Sequence, residues 1–158
     1  MVNAVLQRAR AALADVVDPE IPVLTIGDLG VLRDVTMAAD GFVEVTITPT
    51  YSGCPAMEMI TADIFSALER TGIADARVRT ALSPAWTTEW MSEAGRKKLL
   101  DYGIAPPPCA ADAATHRPAC PLCHADETEL LAEFASTSCK SLWRCLACRE
   151  PFDLFKCH

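Results

Sequence analysis

The chain has 158 residues, of which 51 % are hydrophobic, and its formal net charge is −7. This length suits one ordinary domain plus a small appendage, and no apolar run is long enough to span a bilayer or to serve as a signal peptide. The acidic charge argues against a nucleic-acid-binding protein, which would normally present a basic face. We therefore expect a cytoplasmic protein that binds neither membranes nor nucleic acid.

The first fifty residues predict a helix followed by a β-hairpin. Apolar residues recur near a 3.6-residue period from Val2 to Val16, and Pro19 limits this helix. Residues 31–37 read as a strand, and residues 43–48 alternate apolar and polar side chains. An Asp-Gly turn at position 40 lies between these two runs, which favours a hairpin.

The following segment predicts two more helices and a third strand. A helix is expected from Pro55 to Gly72, a strand over residues 76–82, and a third helix from a cap at Thr87 or Thr88 to about Tyr102. The fold class is therefore α+β, with helices packed on one face of a small mixed three-stranded sheet, followed by a small metal-bound β ribbon. The free edges of such a sheet allow a homodimer.

Composition divides the chain into three parts. Residues 1–103 form the predicted α+β domain, residues 104–118 a Pro-rich linker, and residues 119–158 a Cys-rich ribbon. The ribbon contains two C-x-x-C pairs, a spacing that lets two tight turns place four thiolates around one metal ion. The four cysteines are Cys120, Cys123, Cys145 and Cys148.

The ribbon offers more ligands than one tetrahedral ion needs. Three further residues are alternates for one of the four positions: Cys139, Cys157 and His158. Paired C-x-x-C knuckles favour a structural zinc ion, and an iron–sulfur cluster is the chemical alternative. A metal is expected in either case, because so short a segment cannot fold on its apolar residues alone.

Cys54 is the candidate reactive residue outside the ribbon. It precedes Pro55 at a predicted helix N-terminus, where backbone N–H groups and the helix dipole would lower the pKa of its thiol. A small buried, inert cysteine is the alternative. The carboxylates of Asp18 and Glu20 could do acid–base work or bind metal, although an Asp-Pro pair is also an ordinary turn initiator. No histidine precedes residue 116 to activate Cys54 as a nucleophile, which argues against a thiol enzyme.

Two aromatic residues near the third helix have two interpretations. Trp86 and Trp90 lie four residues apart, so they are expected either in the core or as anchors that face a partner.

Several segments resemble a known family. DPEIPVLTIGDLGVLRDV (18–35) and TPTYSGCPAM (48–57) are similar to the SufT-like domain of iron–sulfur protein maturation, whose reactive cysteine falls on Cys54. With STSCKSLWRC (136–145) and EPFDLFKCH (150–158), the whole chain resembles the PaaD/PaaJ family of the phenylacetyl-CoA 1,2-epoxidase system.

This resemblance implies an accessory role in phenylacetate catabolism. The epoxidase is a multicomponent monooxygenase with a di-iron oxygenase subunit and a reductase that carries flavin and a [2Fe–2S] cluster. The chain has neither Glu-x-x-His pairs nor a dinucleotide-binding glycine motif, so a non-catalytic component is expected.

The resemblance also implies a task and partners. The chain would assist maturation of an iron–sulfur cluster or metal centre in a partner subunit, with the reductase as one candidate. Cys54, helped by Asp18 and Glu20, would hold iron or a cluster transiently, and the ribbon would hold structural zinc. The alternative is a purely structural protein that bridges the oxygenase components.

Overall fold

The computed structural model describes residues 1–108 and 115–156, and the chain divides into two compact units, Met1–Trp86 and Thr87–His158. The predicted alternate ligands Cys157 and His158 lie outside the described residues. Within the part of the chain that is described, no helix is both long and apolar enough to cross a membrane.

The first unit contains the predicted mixed three-stranded sheet and two of the three predicted helices, and the third helix lies in the second unit. Strand β1 pairs antiparallel with β2, and β2 pairs parallel with β3, so β2 is the central strand. The parallel pairing requires a crossover, and α2 provides it. In chain order the elements are α1 (Val2–Leu13), β1 (Leu32–Met37), β2 (Val43–Ile47), α2 (Ala56–Arg70) and β3 (Ala76–Thr80).

The apolar faces that predicted these elements form the core of the unit. Val43, Val45 and Ile47 of β2 are all buried, and α2 buries one stripe that includes Ile60 and Ile64. Helix α1 is three residues shorter than predicted. The residues at its predicted end form β-type hydrogen bonds with a later loop instead. The carbonyl of Val16 accepts the N–H of Ile26 at 2.9 Å, and Val17 forms a β-bridge with Thr25.

The second unit is a four-stranded sheet preceded by a helix. The strand order is β4-β7-β6-β5, with β4 parallel to β7 and the other pairs antiparallel. In chain order the elements are a 3-10 helix (Thr88–Trp90), α3 (Glu93–Asp101), β4 (Ile104–Ala105), β5 (Thr128–Ala132), β6 (Lys140–Cys145) and β7 (Pro151–Phe155).

The third helix and the linker differ from the prediction. Met91 is extended, which separates the 3-10 helix from α3, and α3 is capped by Ser92, whose Oγ accepts the N–H of Gly95 at 2.9 Å. Residues 104–105 begin the predicted linker but form β4 and pair with β7. The two compact units divide after Trp86, and the predicted domain bounds of 1–103, 104–118 and 119–158 stay a prediction.

Candidate metal centre and candidate thiol site

The first C-x-x-C turn is a closed knuckle. The N–H of Cys120 donates to the carbonyl of Ala125 at 2.9 Å, and the carbonyl of Cys120 accepts the N–H of His124 at 2.9 Å. His124 has a φ of 63°, a left-handed conformation that closes the turn at an energetic cost for a residue with a Cβ. These bonds fix Cys120 and Cys123 on the same side of the loop. The His124 side chain is exposed.

The second knuckle repeats the first. The N–H of Cys145 donates to the carbonyl of Glu150 at 3.0 Å, and the carbonyl of Cys145 accepts the N–H of Arg149 at 3.0 Å. Arg149, like His124, has a positive φ, here 70°. Two turns of the same backbone geometry thus present their thiols to one another.

The four sulfurs form one compact cluster. All four Sγ atoms lie within 4.8 Å of one another, with 3.8 Å between Cys120 and Cys148 and 3.5 Å between Cys123 and Cys145. Tetrahedral zinc with Zn–S bonds of about 2.3 Å requires sulfurs about 3.8 Å apart. A disulfide would require about 2.05 Å. The spacing therefore fits a four-thiolate metal site.

The pKa values of two cluster thiols, Cys145 and Cys148, indicate that the cluster needs a cation. The N–H of Cys148, 3.5 Å from the Cys145 sulfur, is the main cause that lowers the pKa of Cys145 to about 7. The N–H of Glu150 lowers the pKa of Cys148, but burial and the thiols around Cys148 raise it to about 12. Four thiolates cannot coexist at this spacing without a cation, and a dication would neutralise their mutual repulsion.

Cys139 lies outside the cluster. It is buried, and its sulfur lies 3.1 Å from the hydroxyl of Thr137. Among the described residues, the only group of three or more potential ligands within coordinating distance is the four cysteines of the two knuckles. The ligand set itself stays a prediction.

Cys54 lies in a tight turn immediately before α2. Its N–H donates to the carbonyl of Tyr51 at 3.3 Å, and its carbonyl accepts the N–H of Met57 at 3.3 Å. Gly53 has a φ of +81°, a conformation that side-chain-bearing residues adopt only at a cost. The turn therefore fixes the thiol, which is half-buried, at the N-terminus of the helix.

Asp18 and Glu20 lie close enough to Cys54 for their charges to act on its thiol. Asp18 is buried, and its Oδ1 accepts the N–H groups of Glu20 and Ile21, each at 2.8 Å. Asp18 is therefore more than a solvated turn residue, since it organises the loop that carries Glu20. Among the described residues these two carboxylates and the Cys54 sulfur do not form a ligand group of coordinating size. The carboxylates act on the thiol through their charge.

The prediction that the pKa of Cys54 is lowered is wrong. Burial raises this pKa most, and the negative charges of Glu20 and Asp18 raise it further. The expected helix N-terminal effect exists, because the N–H of Ala56 lowers the pKa, and the side chain of Tyr51 adds a weaker lowering. Neither outweighs burial and the two carboxylates. Tyr51 is a site residue that the sequence did not single out.

The two tryptophans differ in environment. Trp86 is buried, and its Nε1 donates to the carbonyl of Leu29 at 2.8 Å, so it belongs to the core of the first unit. Trp90 is half-buried. The partner-facing interpretation is therefore wrong for Trp86.

Two family models match the two parts of the chain. Residues 6–83 match a family described as iron-sulfur cluster assembly protein, and residues 105–156 match the PaaD zinc beta ribbon domain. A protein of Escherichia coli (strain K12) assigned as the D component of a 1,2-phenylacetyl-CoA epoxidase is 49 % identical over 150 residues, which cover 93 % of this chain and 90 % of that protein. The chain belongs to the PaaD family of phenylacetyl-CoA epoxidase components.

Other relatives match only part of the chain. An Fe-S protein maturation auxiliary factor of Porphyromonas gingivalis (strain ATCC BAA-308 / W83) is 39 % identical over 93 residues, covering 58 % of this chain and 85 % of that protein. A crystal structure of a DUF59 domain from Bacillus anthracis has a TM-score of 0.56 and 29 % identity, and covers 61 % of this chain and 92 % of that one. The PaaD family thus joins this domain to a ribbon, and the ribbon match and the cysteine cluster support metal binding.

Proposed function

We propose that this chain is a non-catalytic, cytoplasmic accessory protein of a phenylacetyl-CoA epoxidase system, and that Cys54 transiently binds iron or an iron–sulfur cluster destined for a partner protein. The client we name is the iron–sulfur reductase of that system. Membership of the PaaD family and the similarity of the first unit to Fe-S maturation auxiliary factors support this proposal.

The observation that carries the proposal is the charge around Cys54. Two carboxylates beside a thiol disfavour the thiolate form. A nucleophilic cysteine needs that form, so this arrangement is unsuited to a nucleophile. The same carboxylates favour any cation that approaches the sulfur. Binding of a cationic cargo would release the thiol proton to solvent, and departure of the cargo would take a proton up again. The surroundings therefore favour reversible cation loading.

A single thiolate also favours transfer over storage. Cys54 is the sole cysteine among residues 1–108, and iron–sulfur clusters in proteins are usually held by four ligands. Cargo bound at Cys54 would therefore have an incomplete ligand set on this chain. A client that supplies the remaining ligands would complete the coordination and draw the cargo away.

The ribbon has a separate role in this proposal. Cys120, Cys123, Cys145 and Cys148 would hold one structural zinc ion, which supplies folding free energy to a sheet with a small core. No open coordination position is needed for that role.

The test is cluster occupancy of the reductase. The reductase is produced in cells with wild-type chain, with Cys54→Ser, or with Ser52→Ala as a control in the same turn, and its iron and sulfide are measured after purification. Cys54→Ser should lower occupancy severalfold, whereas Ser52→Ala should not change it. Equal occupancy with Cys54→Ser and wild type would refute the transfer role. A stable stoichiometric complex with oxygenase components that tolerates Cys54→Ser would instead support the structural bridging role.

A further inference from the structure

One face of the four-stranded sheet carries the metal cluster at one end and a cavity at the other. Cys145, Trp143 and Ser141 alternate along β6, so their side chains lie on this face. The cross-strand partners of the last two, Leu130 of β5 and Leu154 of β7, lie on it as well. Cys145 belongs to the cluster, whereas the other four residues line a cavity of about 310 Å³. Part of this sheet face is therefore open to a ligand.

The walls of the cavity are apolar and aromatic. Trp143 is half-buried, and its Nε1 donates to the Oγ of Ser141 at 2.9 Å, so its indole has no polar hydrogen left to satisfy. Phe134 is 65 % exposed and lines the same cavity as Leu130. Small-molecule sites in proteins have volumes of about 300–1,000 Å³ and are lined mainly by such side chains. A cavity at the lower end of this range suits a ligand with a single ring.

Two side chains in the lining have hydrogens left to donate. Ser141 is 5 % exposed, and its Oγ accepts the N–H of Trp143, but its own O–H has no acceptor among the described residues. The ammonium group of Lys156 donates to the carbonyl of Glu133 at 3.0 Å and lies 3.9 Å from the centroid of the Phe134 ring. It takes part in no ion pair within the described part of the chain, and an ammonium group has three hydrogens to donate. The cavity therefore offers donors to a ligand with a negatively charged acceptor.

We propose that this cavity binds a small aromatic carboxylate. The ring lies against Trp143 and Phe134. The carboxylate accepts hydrogen bonds from the Ser141 hydroxyl and the Lys156 ammonium group. A neutral hydrocarbon fits less well, because it would leave the buried hydroxyl hydrogen without an acceptor. A nucleotide or another polyanion also fits less well, because Glu133 lines the cavity too and one ammonium group cannot offset several negative charges. This site belongs to the second unit and is independent of iron transfer by the first unit.

The probe for the test is phenylacetate, which joins one ring to one carboxylate, and the measurement is isothermal titration calorimetry on the full chain. The wild type should bind phenylacetate saturably. Acetate, which lacks the ring, and phenylacetamide, which lacks the charge, should each have a Kd at least about tenfold higher. Absence of saturable phenylacetate binding would overturn the proposal, and so would equally tight binding of phenylacetamide.

Two positions in the lining test where the ligand lies. Lys156→Gln and Phe134→Ala should each raise the Kd for phenylacetate about tenfold, because the first removes the charged donor and the second removes a ring. The matched controls are Lys97→Gln and Tyr102→Ala, the same kinds of change at exposed residues of the second unit that do not line the cavity. Both controls should leave the Kd unchanged.

A third position tests the sign of the charge effect. Glu133→Gln should lower the Kd, because it removes a negative charge from the lining. The circular-dichroism spectrum of each variant distinguishes loss of the site from loss of the fold. Wild-type affinity in both Lys156→Gln and Phe134→Ala would place the ligand elsewhere and overturn the proposal, and weaker binding by Glu133→Gln would contradict recognition of an anion.

Discussion

Removal of the metal from the ribbon is the perturbation with the largest predicted effect. Among the described residues, the buried cluster beside the sulfurs includes two large apolar side chains, Phe152 and Leu154, and the half-buried Trp143 packs against it. Full burial of such a side chain contributes about 1.5–3 kcal/mol, so Phe152 and Leu154 together supply about 3–6 kcal/mol. A structural zinc ion in a small domain contributes about 10–16 kcal/mol near neutral pH. The metal should therefore stabilise the two knuckles more than their apolar packing does.

The assay combines metal analysis with limited proteolysis. The wild type should contain about one zinc ion per chain. A strong chelator should remove the ion and expose residues 119–156 to protease. The same loss should follow acidification, because protons compete with the metal for the thiolates.

Two cysteine variants identify the ligands. Cys148→Ser should lose the metal and the protease protection, because its sulfur belongs to the cluster. Cys139→Ser should retain both, because its sulfur contacts Thr137 outside the cluster. Unchanged protection of the ribbon after complete removal of the metal would refute the reasoning, and so would loss of the metal on substitution of Cys139 alone.

Two other predictions concern the first unit. Glu20→Gln should lower the pKa of the Cys54 thiol, because the substitution removes a negative charge that raises this pKa. Alkylation of Cys54 by iodoacetamide at a fixed pH near 8 should therefore be faster than in the wild type. An unchanged or slower rate would contradict the electrostatic account. Trp86→Phe should lower the free energy of unfolding by about 1–3 kcal/mol, because the buried carbonyl of Leu29 loses its hydrogen-bond donor. A urea midpoint equal to that of the wild type would show that this hydrogen bond contributes nothing to stability.

Periodicity was sufficient to predict the order of elements in the first unit. The alternation in residues 43–47 and the helical stripe of α2 each reflect burial on one side, which is a local property of the sequence. The C-x-x-C spacing likewise predicts a tight turn that brings two thiols together, so the sequence was sufficient to predict the four-cysteine cluster.

The failures had both local and long-range causes. The 3-10 segment before α3 depends on the extended Met91, which no local pattern marks, and Ser92 caps α3 in place of the predicted threonines. Strand β4 is only two residues long and owes its existence to pairing with β7, almost fifty residues later. The pKa of Cys54 was misjudged because burial of the thiol, which depends on tertiary packing, raises this pKa most, and because Glu20 and Asp18 raise it further from a loop more than thirty residues earlier.

The raised pKa of Cys54 has a consequence for the lifetime of the protein. Peroxides react with the thiolate form of cysteine, and the first product is a sulfenic acid. Further oxidation to sulfinic and sulfonic acids is irreversible. A thiol whose neighbours keep it protonated is a poor target for such oxidants, although it is half open to solvent. Burial and the two carboxylates thus protect the Cys54 thiol from oxidation, which would preserve it for the cargo binding that we propose.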